Sequence, residues 1–478
     1  MTVLVLRSRR LARMAGCAAL MPGIVAMAAA APASAQARVA TTLPPSHVVV
    51  SWGGNWHGQL GDGTTTGRSR YGDVGAGNDV VQVAAGYDHG LAVRSGGTVW
   101  AWGDNRYGVL GGGTTTDPTT PVQVTGLTGV TQVAAGSLFS LALRSDGTVW
   151  AWGDNTHGEL GRGTISDHEV TPAPVTGLTG VTKISAGVGF GLALLSDGTV
   201  RAWGLNDSGQ LGNGTTASSA VPVQVAGLSQ VTGISAGWRS AVATRTSGIS
   251  AVTSVWTWGA NDYGQLGDGT RTGHAAPEQV TGAPVYIAGI TAGSNFAEVL
   301  GTDGSVWGWG SNGTGELGAG RSSLPVTHPV NTIGAGSGIT ELSAGASHVL
   351  ALKSDGTVLA WGYGAWGQLG NGSTASPAGP VQVTGLTGAT HVAAGSESGY
   401  AVHVPLPAVP DLTDDTTAQA GQALQAAGLV LGTVTKVTDT YCNHIGTVMS
   451  QNPPARTLAS PGSAVSVTIG QKPPNPCP

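Results

Sequence analysis

At 478 residues the chain is too long for one ordinary core, and it carries 79 glycines against only 10% charged residues. Those glycines fall at recurring turn positions, which excludes a disordered chain and points to ordered all-β structure. The formal net charge is −5, and no basic patch or arm follows the first residues, so nucleic acid is excluded as an expected partner.

The predicted elements begin with an export signal over residues 1–35. Arg7, Arg9, Arg10 and Arg13 form a charged leader, Ala15 to Ala31 is apolar, and Ala33-Ser34-Ala35 fits cleavage after Ala35. The apolar run is short for a membrane anchor, and no other stretch is long and apolar enough to span a bilayer. Ser8-Arg9-Arg10 partly matches a twin-arginine signal. Cys17 would leave with the leader.

From His47 to Val404 one unit is written repeatedly. A W-G step recurs at Trp52, Trp102, Trp152, Trp203, Trp258, Trp309 and Trp361, and an A-G step at Gly86, Gly136, Gly187, Gly237, Gly293, Gly345 and Gly395. Seven copies of each, 50 to 56 residues apart, indicate a solenoid or propeller. In the clearest copy, Val130 to Ala135 alternates toward Gly136, and Ser140 to Arg144 is a second strand. Asp146-Gly147 reads as a two-residue type I′ hairpin, and Thr148 to Trp152 is a β-branched and aromatic third strand. A fourth run, such as Pro121 to Val124, completes a four-stranded blade. The glycine-rich link Gly158 to Gly163 holds neither strand nor helix.

The ends of the repeat region are complementary. Val48 to Gly53 is a third strand with no first or second before it, whereas His391 to Val404 supplies a first and second strand with no W-G strand after. Together they predict a composite blade that closes a seven-bladed ring and removes edge strands. Departures are local. Arg201 replaces a tryptophan, a longer hairpin spans Thr246 to Val252, Arg68 to Val74 is atypically polar, and Gly364 replaces the usual asparagine.

The repeated A-A-G-x-x-H/F-x-L-A-L-x-S-D-G-T-V-W-A-W-G-x-N-x-x-G-Q-L-G resembles the regulator of chromosome condensation repeat over about three quarters of the chain. The resemblance implies a seven-bladed β-propeller. The family includes a nuclear guanine-nucleotide exchange factor and a secreted bacterial β-lactamase inhibitory protein. Exchange activity does not carry over, because a secreted chain does not meet a nuclear GTPase and fold alone does not fix function.

Residues 405–408, Pro-Leu-Pro-Ala, read as a linker. Residues 409–470 carry Val409-Pro410-Asp411-Leu412, a helix over Thr417 to Ala427 stopped by Gly428, Gly446-Thr447-Val448 with Ser450-Gln451, and Pro461-Gly462-Ser463. These points resemble a PASTA domain, a small α+β module. The resemblance implies contact with cell-wall peptidoglycan and leaves a passive spacer open. Residues 471–478 are a proline-rich tail. With Cys17 removed, Cys442 and Cys477 are an even pair for a disulfide in an oxidising compartment.

The search for chemistry assigns no catalytic, cofactor or metal residue. The G-Q-L-G-D-G-T stretches lack a P-loop lysine and a following helix. The Asp-Gly pairs at Asp146, Asp197, Asp303 and Asp355 lack calcium-loop spacing. His89 and His348 share a slot with Phe139, Phe190 and Phe296, which marks packing.

Binding is more legible. In a four-strand meander the first and third connections share one end of the blade. There the copies differ from one another, so the fold does not dictate the residues. Trp56, Tyr87, Tyr107, Trp238, Arg239, Tyr263 and Trp366 are predicted to lie on one rim as the centre of a protein-binding face. The expectation is a secreted or wall-associated monomer that binds a protein partner and is not an enzyme. Its sharpest form is an inhibitor of a β-lactamase or penicillin-binding protein. An enzyme acting on a wall or extracellular polymer is the alternative.

Overall fold

The computed structural model describes residues 47–247, 252–459 and 462–475. The expected leader with its cleavage after Ala35, Cys17 and Cys477, and the tip of the longer hairpin (248–251) lie outside the described residues.

Seven four-stranded antiparallel sheets and one three-stranded sheet form among the described residues, consistent with the expected seven-bladed propeller and a small C-terminal module. Six sheets take their strands in chain order. The remaining one, blade 1, is composite: Ala389–Ala394 and Ser398–His403 are followed by Val48–Gly53 and Arg68–Asp73. Val50 pairs with Ala401 and Trp52 with Gly399, so the two fragments join as expected. Blades 2 to 7 follow along the chain.

Each blade has the same grammar. The second strand is buried along its length, as in Phe139–Arg144 up to Leu143, because neighbouring blades cover both faces. The first strand does not alternate strictly, contrary to the sequence reading. A bulge shifts its pairing by one residue in all seven blades. Val130 and Val133, three apart, therefore both reach the core, as a bulge allows.

Two contacts join blade to blade. The seven W-G tryptophans are fully buried. Six indole N–H groups donate to a carbonyl in the G-Q-L-G loop of the preceding blade, as Trp102 Nε1 to Gln59 O at 2.8 Å. Trp52 donates to Gln368 O at 2.8 Å, which latches blade 1 to blade 7. At the axis, a Cβ on any of the seven A-G glycines would lie within 3.1 Å of the carbonyl oxygen of the equivalent glycine one blade on, Gly395 meeting Gly86. None of the seven has a positive φ. The requirement there is space.

The W-G-x-N asparagine explains the loop that follows. Asn105 Nδ2 donates to Thr114 O and Thr116 O at 3.0 and 2.9 Å, and its Oδ1 accepts from Leu110 N at 3.0 Å. The glycine-rich link is thus an ordered loop around a buried amide. The Asp-Gly hairpins differ from the expected type I′ turn, since only the glycine has a positive φ, as at Gly147. Gly147 N donates to Arg144 O, and Arg144 N to Thr148 O, closing a three-residue loop. Asp146 accepts from Thr148 N and Oγ1 at 3.0 and 2.6 Å, so it shapes the turn through its side chain.

In the C-terminal module, helix Thr417–Ala426 is capped by Thr416 with Gln419 in a reciprocal box, and Gly428 ends it at φ +71°. Val430–Thr438 pairs parallel to Ala464–Gln471, and Val448–Asn452 pairs antiparallel to it. Gln451 ties the two signature segments together: its Oε1 accepts from Leu412 N at 2.8 Å, and its Nε2 donates to Pro410 O at 2.9 Å. Ala408 bridges Leu458 and Ala459 N donates to Pro407 O. The module therefore starts inside the expected linker and runs one residue past 470. No helix among the described residues is long and apolar enough to cross a membrane.

One buried group escaped the sequence reading. Glu298 of blade 6 is fully buried where other blades place Leu91, Leu141, Leu192 or Leu350. Gly308 beside it stands where Ala101 and Ala151 stand, and a Cβ there would come within 3.4 Å of Glu298 Cγ. Trp361 Nε1 donates to Glu298 Oε1 at 3.2 Å. Burial pushes the Glu298 carboxyl up from 4.5 to about 8, against the Trp361 hydrogen bond.

Two predictions follow from these contacts. Gly237→Ala places a methyl 2.6 Å from Gly293 O and should cost about 1–3 kcal/mol in denaturant unfolding, as overpacking does. Gly112, with negative φ and open space around it, should accept alanine within about 0.5 kcal/mol; equal effects at the two positions would refute the axial constraint. For Glu298, the unfolded chain releases a proton near pH 4.5 that the native state holds to about 8. This group therefore costs nothing below the unfolded value, and its penalty grows as pH rises and is complete above the folded one. Glu298→Gln should match the wild type in stability near pH 4 and exceed it increasingly toward pH 8. A difference independent of pH would contradict the assignment.

Candidate interaction rim

The first and third connections of the blades share one end of the propeller. Gln59 Nε2, from the third connection of blade 1, donates to Asp88 Oδ1 in the first connection of blade 2 at 2.7 Å. The first connections are chained around the axis, as by Val188 N to Trp238 O at 3.2 Å and Ser396 N to Gly86 O at 3.2 Å. Second and fourth connections meet at the opposite end, where Val130 N donates to Gly97 O and Val181 N to Gly147 O. At that end the Ser-Asp-Gly turns and the links they meet repeat in sequence from blade to blade.

Trp56, Tyr87, Trp238, Arg239, Tyr263 and Trp366 are exposed and belong to connections at the variable end. Trp56 and Trp366 meet edge to face with centroids 4.8 Å apart. Tyr87 and Trp238 line the mouth of the axial channel, and Arg239 pairs with Asp207 at 3.1 Å. Tyr107 lies in a third connection at the same end and is partly buried, packing against the core cluster that contains Leu110 and Trp152, with Arg106 before it exposed. Other exposed apolar residues exist away from this end, Tyr286 among them, and it lies on a fourth connection.

The rim also carries carboxylates that the sequence reading passed over. Burial pushes the Glu397 carboxyl up, the Asp88 charge adds to this, and the Trp366 side chain acts to lower it. Burial pushes Asp88 up as well, helped by Asp104 and opposed by His57 and Arg106. Asp104 is held by Arg106 Nη2 at 2.6 Å, which keeps its carboxyl below the ordinary range despite burial. Asp88 follows Tyr87 directly, and Glu397 stands at the matching position of another first connection, so the signal was present.

Two groups bring possible ligand atoms within 4.8 Å of one another: His57 with Asp88 and Asp104, and His274 with Asp268 and Glu278. The second is a latch. His274 Nε2 meets Asp268 Oδ2 at 2.6 Å where blade 1 has Arg68 meeting Asp62 at 2.9 Å. The axial mouth encloses about 90 Å³ and is lined largely by glycine and alanine, small for a substrate pocket. A cavity of about 270 Å³ between blades 3 and 4 contains Leu138, Leu205, His157, Glu159, Asp207 and Arg239, with His157 Nδ1 3.1 Å from Glu159 Oε1. His89 and His348 are buried in the slot filled elsewhere by Phe139, Phe190 and Phe296, and burial depresses both to about 4. In the C-terminal module Cys442 is disulfide-bonded, and its expected partner Cys477 lies outside the described residues.

Comparison with known proteins matches residues 127–404 to the RCC1-like domain, residues 96–143 and 80–109 to regulator of chromosome condensation repeats, and residues 407–471 to the PASTA domain. The ultraviolet-B receptor UVR8 of Arabidopsis thaliana is 32% identical over 217 residues, 45% of this chain and 48% of that protein. The human E3 ubiquitin-protein ligase HERC2 is 34% identical over 238 residues, 48% of this chain and 5% of the ligase. The chain thus spans about half or less of these relatives. Among solved structures, Prp20p of Saccharomyces cerevisiae superposes with a TM-score of 0.67 at 22% identity, covering 80% of this chain and 94% of that one. Human WBSCR16 gives 0.67 at 21% identity, covering 75% and 99%. These likenesses agree in architecture with seven closed blades followed by a small α+β module, and the chain belongs to the RCC1-like domain family, with a C-terminal PASTA domain.

Proposed function

We propose that this protein is an extracytoplasmic binding protein whose propeller holds a protein partner on the variable rim while its PASTA domain contacts cell-wall peptidoglycan. The observation that carries the reading is the asymmetry between the two ends. One repeats the same backbone-bonded turns. The other displays Trp56, Tyr87, Trp238, Tyr263 and Trp366, all exposed at positions where the copies differ. Exposed aromatics and arginine are the types enriched at binding hot spots.

Relatives support the same kind of role. Prp20p has binding properties toward Gsp1p and histones, which makes a propeller of this family a protein-binding frame. The PASTA domain supports a wall-related location, and an exported chain fits the leader read over residues 1–35. A disulfide joining Cys442 to Cys477 belongs to the same oxidising setting. The sharpest form of this reading is an inhibitor whose rim occludes a β-lactamase or a penicillin-binding protein. The protein itself is proposed to carry out no reaction.

Three outcomes test the reading. Trp238→Ala should weaken a captured partner by about 2 kcal/mol or more with the melting temperature kept, whereas Tyr107→Ala should cost about 2–4 kcal/mol of stability through lost packing. Unchanged affinity after all six exposed rim residues are replaced would remove the rim from the account. The full-length protein should pellet with purified insoluble peptidoglycan, and retention in the supernatant would contradict the wall contact. Mass spectrometry of the unreduced, alkylated protein should recover a Cys442–Cys477 peptide, against which two free thiols would count.

A further inference from the structure

The carboxylates at the seam of blades 1 and 2 are not balanced by the protein's own cations. Arg106 is committed to Asp104, its Nε and Nη2 meeting Oδ1 and Oδ2 at 3.0 and 2.6 Å. His57 lies 3.8 Å from Asp117. Asp88 and Glu397 form no ion pair among the described residues, although Asp88 is only 8% exposed and receives a single neutral hydrogen bond, from Gln59. Both carboxyls are held above their ordinary range by burial; at Asp88 His57 and Arg106 oppose this and Asp104 adds to it, and at Glu397 the Asp88 charge adds to it. Leaving two such groups partly desolvated and unpaired opposes folding unless something else at this place favours them.

The same seam is lined with aromatic rings. Trp366, from the adjoining blade 7, and Trp56 meet with centroids 4.8 Å apart. Gly54 N donates to Glu397 O at 2.8 Å and Ser396 N to Gly86 O at 3.2 Å, and the Tyr87 hydroxyl is near enough to Asp88 and Glu397 for their charges to add to burial in raising its pKa. Unpaired carboxylates beside aromatic rings favour an organic cation, which gains from both the charge and the ring quadrupole. A divalent ion fits less well. It would draw on His57, Asp88 and Asp104, and both Asp104 oxygens already serve Arg106.

Resting on the rim reading above, we infer that the seam formed by Asp88, Glu397, Trp56, Trp366 and Tyr87 anchors a basic side chain, a guanidinium or ammonium, presented by a segment of the protein partner. The partner's matching surface is therefore basic at this point.

The test uses the full-length protein and a fluorescein-labelled Gly-Arg-Gly-Arg-Gly peptide in low salt. Saturable binding is expected, falling as salt rises, with no binding of the Gly-Glu-Gly-Glu-Gly counterpart. The double variant Asp88→Asn/Glu397→Gln should bind the arginine peptide about tenfold or more weakly, since each isostere keeps the shape and removes the charge. Trp56→Ala, at an exposed residue, should also weaken it and guards against a variant that fails to fold. Equal binding by the double variant overturns the inference. So does a wild-type protein that takes up Zn²⁺ or Ca²⁺ at this seam and ignores the peptide. A captured partner that is lost with Trp238→Ala but retained by the double variant would sink the cation anchor and leave the rim reading standing.

Discussion

The architecture depends on a steric condition at its axis. Seven first strands converge so closely that each A-G glycine faces the carbonyl oxygen of the next, within the distance a methyl would need. Glycine is used there for lack of a Cβ, not for an unusual φ. The convergence turns seven separate sheets into one ring, because a gap at any seam would leave the others without a closed circuit. The buried tryptophans set the complementary condition further out. Each fills the space between two blades; six spend the indole N–H on a neighbour's loop, with Trp52 completing the circuit to Gln368, and Trp361 donates to Glu298 instead.

This frame frees one end for variation. The second and fourth connections are held by backbone hydrogen bonds between them, and their sequence repeats from blade to blade. At the other end the frame needs the buried amide of W-G-x-N, the glycine of A-G and the backbone bonds that chain the first connections, which any side chain allows. The residues between are unconstrained, which is where Trp56, Tyr87, Trp238 and Trp366 stand. The same freedom lets Asp88 and Glu397 stand without an ion pair among the described residues, an arrangement that burial and the repulsion between them make unfavourable for the isolated protein. Glu298 is a different case. It is enclosed between blades 6 and 7, touches the frame through Trp361, and no rim residue reaches it.

Much of this was legible in the sequence because repetition averages over local noise. The blade count, the composite closure and the C-terminal module rest on motifs repeated or spaced by the backbone itself. Four features were not legible. The bulge in each first strand leaves the composition unchanged and shows only as burial of Val130 with Val133. The Asp-Gly turn was misread because Asp146 bends the chain through its side chain and keeps an ordinary φ, which the dipeptide alone does not reveal. Tyr107 stands in a third connection at the rim end, but its ring packs partly against the core; variation between copies reports freedom from the backbone pattern and not the direction of a side chain. Glu298 and Gly308 were a compensating pair, visible as departures from Leu and Ala only when two blades are aligned strand by strand.

The division between an invariant frame and a free rim is tested most directly by thermal unfolding of a variant carrying serine at Trp56, Tyr87, Trp238, Tyr263 and Trp366 together. If the frame alone holds the fold, this variant melts close to the wild type, losing about 0.5–1.5 kcal/mol for the Trp56–Trp366 contact. A collapse of the cooperative transition, or a loss several times larger, would show that these residues are part of the frame and contradict the account.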